Sequence, residues 1–351
     1  MTGLCLGMEM GLVTFLDLTA SGLGPSMAAQ LARLLGPSCG SSGQQRLGSL
    51  EVLILDHNPI GPAGTAALAQ ALAENSALGY LSLERTRMGP MGGASVAEAL
   101  RRNTGLRVLS LGGNRLGWSV GSVAEALQSE SSGLLVLGLE DNEPTAAAVE
   151  KLCAVLARNT SLLMLGFENN YLGPQGFAAV ATALRHNATL LSLSLDGCGG
   201  GFEGAVCVAD ALEHNKGLLA LTLGHNAVGT AGAACIARGL RSNASLLLLA
   251  LDGNGITHLI EFCHAVSAHP SLLQLLFQDN PFLHSDPDSL LALADALTQH
   301  AKTPLHVSRT VSSPLPVNSM LLGGPGCPLP SGFLGVLFPR SQFPLLSFSF
   351  L

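Results

Sequence analysis

LEVLILDHNPIGPAGTAALAQALAENSA, residues 50–77, is followed by LGYLSLERTRMGPMGGASVAEALRRNTG, residues 78–105, and the two align without a gap. The same unit starts again at Leu106, Leu134, Leu162, Leu190, Leu218 and Leu246, each start 28 residues after the last. Counting the first Leu of a unit as position one, positions one, four and six are apolar, as in Leu50, Leu53 and Leu55. A short hexad of that pattern reads as a strand, and the Ala/Leu-rich stretch after it, such as Ala66 to Leu72, reads as a helix. A single unit cannot bury its own apolar side, so the repeats must stack and share one core.

Working outward, the strand pattern begins at Val13 and ends at Leu272, which follows Leu246 by 26 residues, giving ten strands. Between Val13 and Leu50 the spacing widens to 37, and the excess fits the Gly/Ser/Gln-rich residues 36–48, expected to be an inserted, solvent-exposed loop. Residues 1–12 form a leader with Glu9 and no basic region, so a secretory signal is not expected. The repeat domain spans 13–300. From Ala301 a Pro/Gly/Phe-rich tail runs to residue 351 with Lys302, Arg309, Arg340 and no acid. The other residues carry 17 − 3 = 14 Lys/Arg against 24 Asp/Glu, a net charge of −10 beside the tail's +3. Disorder is the expectation for the tail, with a sticky peptide, a membrane-associating end and an aberrant terminus as open alternatives.

Hydrophobic residues make up 48% of the 351 and charged residues 12%, which suits stacked Leu and Ala. The apolar runs stop short of a membrane span. Eight cysteines form no CxxC pair, so reduced thiols and a cytoplasmic location are expected, with no metal and no cofactor. Position nine is Asn58, Asn114, Asn142, Asn170, Asn226, Asn254 and Asn280, with Cys198 in one unit, where an amide can satisfy backbone groups of a tight turn. Position twelve is Gly in seven units, where the chain bends before the helix. A second column, Asn75, Asn103, Asn159, Asn187, Asn215 and Asn243, is expected to end each helix at positive φ. That backbone role also accounts for the three glycosylation-like triplets at Asn159, Asn187 and Asn243. Arginines beside the column, Arg101, Arg102, Arg158, Arg185 and Arg241, suit the negative helix end.

The whole unit, L-x-x-L-x-L-x-x-N-x-[IL]-G followed by an A-x-A-L helix and a closing N-x-x-L, resembles the ribonuclease-inhibitor-like class of leucine-rich repeat. It is similar to the C-terminal arrays of NOD-like receptors. The resemblance implies an α/β solenoid, a curved horseshoe with a parallel β-sheet on the concave face and helices on the convex face, built from about ten repeats. Glu143-Pro144-Thr145 and Gly199-Gly200-Gly201 depart from the turn pattern.

Three constellations were weighed for chemistry. Gly199, Gly201 and Gly204 satisfy G-x-G-x-x-G, yet the last two already belong to the repeat's turn columns and no phosphate-binding Lys follows. Cys207, Cys235 and Cys263 share a helical column, and neighbouring helices about 8 to 10 Å apart exceed the roughly 7 Å reach of a disulfide. His186 and His214 lack a second ligand group. Parallel repeats spread like residues along a line instead of converging them, so no enzyme is expected.

Alternation sends positions three, five and seven to the side opposite the Leu core. Position three is Val52, Tyr80, Val108, Val136, Met164 and Leu248, and position seven is Asp56, Glu84, Glu140, Glu168, Asp196 and Asp252. These are the expected partner-binding residues, an apolar stripe beside an acidic one, separated by small residues at position five. They suit a protein partner with basic and apolar surface and disfavour nucleic acid. No membrane contact is expected except through the tail. The functional expectation is a non-catalytic intracellular interaction module or scaffold, regulatory in the manner of NOD-like receptor signalling. The alternatives are a regulator resembling Ran GTPase-activating protein and an inhibitor of a basic ribonuclease.

Overall fold

The computed structural model describes residues 13–36, 49–129, 132–267, 269–299 and 306–308. The leader, residues 37–48 of the inserted loop and all of the tail but 306–308 lie outside the described residues. The chain divides into two compact units, residues 1–162 and 163–351.

In the first unit, β1 (Phe15–Asp17), β2 (Val52–Ile54), β3 (Tyr80–Ser82), β4 (Val108–Ser110) and β5 (Val136–Gly138) alternate with five helices. These are α1 (Pro25–Leu35), α2 (Gly61–Leu72), α3 (Gly89–Leu100), α4 (Ser119–Ala126) and α5 (Ala146–Leu156). Sequential strands pair in parallel, position three against position three: Phe15 with Val52, Val52 with Tyr80, Tyr80 with Val108, Val108 with Val136. The second unit repeats the plan with β6 (Met164–Gly166), β7 (Ser192–Ser194), β8 (Ala220–Thr222), β9 (Leu248–Ala250) and β10 (Gln274–Leu276). Its helices are α6 (Gly173–His186), α7 (Gly201–His214), α8 (Gly229–Arg241), α9 (Ile260–Ser267), α10 (Phe282–Ser285) and α11 (Pro287–Gln299). An additional strand, β11 (His306–Ser308), pairs in parallel with β10, inside the segment that the repeat pattern left as tail.

Each unit is an open parallel sheet joined strand to strand through helices, the α/β leucine-rich repeat solenoid that the period implied. Its core is the Leu column: Leu53, Leu109, Leu137, Leu193, Leu221 and Leu249 are at most 1% exposed. Helical residues close over it, among them Leu72, Leu100, Leu156, Leu184, Leu212 and Leu240. Small residues let successive helices approach, and a side chain at Gly93 would collide with Ser119 of α4. Where Thr145 replaces the position-twelve Gly, its hydroxyl accepts the Ala148 N–H at 3.3 Å and caps α5, so a side chain does what a glycine bend does elsewhere. Among the described residues no helix is long and apolar enough to cross a membrane.

Candidate partner-binding site

Parallel pairing ends after three residues, and the backbone groups beyond it need other partners. Position nine supplies them. The Asn114 amide donates to the carbonyls of Leu83 at 2.7 Å and Leu111 at 2.9 Å, while its oxygen accepts the Thr86 N–H at 2.9 Å. Asn226 does the same with Leu195 at 2.8 Å and the Cys198 N–H at 2.9 Å. Asn114 and Asn226 therefore each tie their own repeat to the one before. Where the column changes residue the bond thins: Cys198 keeps a thiol contact to the Phe167 carbonyl at 3.2 Å, and Thr86 one from its hydroxyl to the Leu83 carbonyl at 2.9 Å.

The acids at position seven stand one strand-end further out and form a second ladder. In the first unit, Asp56 Oδ1 accepts the Glu84 N–H at 2.7 Å and the Ser82 hydroxyl at 2.6 Å. In the second, Asp196 Oδ1 accepts the Gly224 N–H at 2.6 Å, and Asp252 Oδ1 the Gln278 N–H at 2.6 Å. These carboxylates hold the amide that the sheet leaves unpaired in the following repeat. Burial raises the carboxyls of Asp56 and Asp196 above the usual range and pushes Asp252 up to about 6, against the lowering pull of those hydrogen bonds. Asp56, Glu84, Glu140, Asp196 and Asp252 are half-buried and Glu168 is buried.

Position three is more enclosed than alternation alone suggested. Tyr80, Val108, Val136, Met164 and Leu248 are buried, Val136 completely, whereas Val52 is half-buried and Phe15 is 54% exposed. Equivalent side chains on adjacent parallel strands sit about 4.8 Å apart and cover one another. Burial raises the Tyr80 phenol well above its ordinary value, with Asp56 and Glu84 adding to the effect. The accessible part of this face is thus the acidic column, with Phe15 and Val52 at its beginning.

Beyond it runs the turn into the helix, and here the sequence signal was missed. Position eight has positive φ in all ten aligned repeats: Ala20, His57, Arg85, Gly113, Asp141, Asn169, Gly197, His225, Gly253 and Asp279. Position ten does so at Gly22, Arg87, Arg115, Glu143, Gly199, Ala227 and Gly255. The recurring mixture of Gly, Asn and Asp was the available clue. In the first unit these turns border a groove of about 920 Å³ lined by His57, Arg85, Arg87, Arg115, Asp141 and Glu143, among others.

The helix-ending Asn column proves different from expectation. None of the six has positive φ, and Asn187 and Asn215 are extended, with φ −88° and −73°. The side chains do the work: Asn103 donates to the Leu72 and Asn75 carbonyls at 2.6 and 2.7 Å and accepts the Leu106 N–H at 2.7 Å. The column is a third inter-repeat tie. Arg101 pairs with Glu98 and Glu125, and Arg185 with Asp210, so these arginines meet acids of the helical side as well as helix ends. The Gly-rich string serves packing, since a β-carbon on Gly200 would lie 2.7 Å from the Phe177 ring and one on Gly204 3.0 Å from it. Cys235 and Cys263 are buried free thiols, Cys207 a half-buried one, and His186 and His214 are exposed. Among the described residues no group of three His, Cys, Asp or Glu side chains is placed to hold a metal ion.

Comparison with known proteins returns a family model, Leucine Rich repeat, on residues 49–69. Among curated proteins none matches the chain. Among solved structures, leiomodin-1 actin-binding site 2 aligns at 26% identity and TM-score 0.29, over 30% of this chain and 62% of that one, less than two thirds of its length. The tropomodulin C-terminal domain of Caenorhabditis elegans aligns at 15% identity and TM-score 0.35, over 46% of this chain and 92% of that one.

Proposed function

We propose that this chain is a non-catalytic protein-interaction module of the ribonuclease-inhibitor-like kind, which receives a basic partner surface on the acidic column of its sheet face. The observation that carries the reading is the half-buried state of Asp56 and Asp252. One oxygen of each is committed to the next repeat, and the other has no hydrogen bond among the described residues. Such carboxylates are held in place at no further entropic cost and are partly desolvated, which strengthens their attraction for an incoming Lys or Arg. Glu84 and Glu140 extend the column in the first unit, and Glu168 and Asp196 in the second. Val52 with Phe15 offers apolar contact, and Tyr80, Val108, Val136, Met164 and Leu248 form the packed floor that keeps the strand ends in line. Chemistry is disfavoured because each column sets like groups side by side, without the nucleophile, base and orienting group that a reaction centre brings to one point.

Regulation in the cytosol, in the manner of the NOD-like receptor arrays that the repeat resembles, agrees with the free thiols of Cys153, Cys198, Cys207, Cys235 and Cys263 among the described residues. Burial pushes the thiols of Cys153 and Cys198 up to about 12, which keeps them inert. The test is affinity capture from cytosolic extract with the full chain, comparing wild type with Glu84→Lys/Glu140→Lys. The principal captured protein should be lost by that variant, and wild-type capture should weaken as salt rises. Loss instead with Arg158→Glu/Arg185→Glu, on the helical side, would place the function on the wrong face.

A further inference from the structure

The groove at the strand-to-helix edge of the first unit stands apart from the acidic column and carries the opposite charge at one end. Arg85, Arg87 and Arg115 line it, with His57 beside them, while Asp141 and Glu143 lie at the far end. Arg115 reaches Glu143 at 3.7 Å, but both side chains are more than two-thirds exposed, so water screens the pair. The guanidinium groups of Arg85 and Arg87 have no hydrogen bond or ion pair among the described residues. Four of the eleven described arginines, Arg101, Arg102, Arg115 and Arg185, meet a carboxylate, so what sets Arg85 and Arg87 apart is that both line one groove with Arg115.

Backbone conformation makes the placement more telling. All three arginines have positive φ, at 52°, 60° and 53°. An L-residue is strained there and glycine is not, and other repeats do put Gly113, Gly197 and Gly253 at position eight and Gly199 and Gly255 at position ten. Six of the seventeen residues at these positions are Gly and eleven are not, so the turn tolerates arginine without calling for it, and the grouping of three on adjacent repeats is not explained by the turn. Space is also made for Arg85: a β-carbon on Gly113 would stand 2.6 Å from its Cγ, so the glycine lets the arginine stem lie across the neighbouring repeat. Pro59 and Pro90 also line the groove.

We propose that this groove binds an acidic, extended segment of a partner protein, with carboxylates on Arg85, Arg87 and Arg115 and a basic residue toward Asp141 and Glu143. The planar fork of each guanidinium matches a carboxylate in two parallel hydrogen bonds, and Pro59 and Pro90 offer apolar contact in the lining. The acids at the far end disfavour a uniformly anionic chain such as nucleic acid. This site goes beyond the sheet-face reading and takes a ligand of opposite charge, so either can fail alone.

The experiment is fluorescence anisotropy of the full chain with a labelled Glu-Asp-Glu-Leu-Glu-Lys peptide, beside its charge-reversed counterpart and a labelled oligothymidylate. Wild type should bind the acidic peptide and prefer it to the oligonucleotide, and any binding of the reversed peptide, which the acidic column can itself receive, should be unchanged by substitutions in the groove. In Arg85→Gly/Arg87→Gly/Arg115→Gly binding should fall at least tenfold while the melting temperature stays at or above that of wild type, because glycine removes the strain. Arg87→Gly alone should weaken binding several-fold, and Arg158→Ala should leave it unchanged. No binding of the acidic peptide by wild type, equal binding by the Arg87→Gly and triple variants, or preference for the oligonucleotide would each overturn the proposal.

Discussion

The two units run one backbone path from strand to helix and fill it with different side chains. In residues 1–162 the left-handed turn positions hold Ala20, Gly22, His57, Arg85, Arg87, Gly113, Arg115, Asp141 and Glu143; in residues 163–351 they hold Asn169, Gly197, Gly199, His225, Ala227, Gly253, Gly255 and Asp279. Both units mix Gly with other residues there, but among the described residues Arg stands at these positions in the first unit alone. A charged side chain held there against the backbone preference marks a demand from outside the turn. Columns with shared geometry can thus be separated into those that build the array and those that use it. The Asn ladder and the Asp ladder build it in both units, because their polar atoms close on neighbouring backbone. Of the groove arginines, Arg85 and Arg87 close on nothing within the described residues, and Arg115 meets only the exposed Glu143.

The strongest check of that division is to damage the same tie in both units. Removing the amide in Asn114→Ala leaves the Leu83 and Leu111 carbonyls and the Thr86 N–H without it, all in buried surroundings. The Leu83 and Leu111 carbonyls keep the Thr86 hydroxyl and the Asn142 amide, so the Thr86 N–H is the buried group left unmade, and at ~1–3 kcal/mol for it a loss of about 2 kcal/mol is expected. Asn226→Ala should lose a similar amount, whereas Thr86→Ala, which gives up a hydroxyl shared between the Leu83 carbonyl and the Asn114 amide oxygen, should lose about 1 kcal/mol. Urea unfolding of the three variants measures this, and strongly unequal costs for the two asparagines would show that the ladder is not one device repeated.

A smaller effect separates the acidic ladder from a surface charge. Burial holds the Asp252 carboxyl at about 6 in the folded chain against an ordinary 3.8. The folded state therefore binds more protons than the unfolded one between those values, and the stability that goes with protonation is full below pH 3.8 and lost as pH rises toward 6. Asp252→Asn keeps an oxygen for the Gln278 N–H and removes the charge. The variant should match wild type near pH 4 and exceed it at pH 7 in denaturant midpoint. A difference that stays constant across that range would mean the carboxylate is well solvated and the burial argument wrong.

The period fixed strand order, strand register and the Leu core before any coordinates, since residues 28 apart have to do the same job. It also located the position-nine asparagines, whose role follows from amide chemistry. What it could not reveal is whether a column facing away from the Leu core is open: Val136 and Met164 alternate outward correctly and are nevertheless buried by their neighbours. The acids likewise looked like a solvated stripe, because the amide that each Asp clamps belongs to the next repeat and has no signature in the side chains. The second Asn column was misread for a related reason. A helix-terminal Asn suggests a left-handed residue, but Asn103 is used for its side chain, across 31 residues to Leu72 and three to Leu106. The tail, which the pattern placed outside the array, contributes β11 to the edge of β10, and three residues are too few to show a period.

The smallest expected effect is the sharpest on the comparison itself. Ala227 in the second unit and Arg87 in the first both stand at position ten with φ of 56° and 60°. A β-carbon in that region costs about 1–2 kcal/mol, and glycine gives back roughly 0.5–1 kcal/mol through the freer unfolded chain, so either change to Gly should stabilise by about 0.5 kcal/mol. Ala227→Gly and Arg87→Gly should therefore shift the denaturant midpoint upward by similar small amounts, because the backbone they relieve is the same. Function should divide them: affinity for the acidic peptide should fall in Arg87→Gly and hold in Ala227→Gly. If Arg87→Gly instead lowers the midpoint, the arginine stem is part of the packing of its turn, and the contrast between the two units is one of construction and not of use.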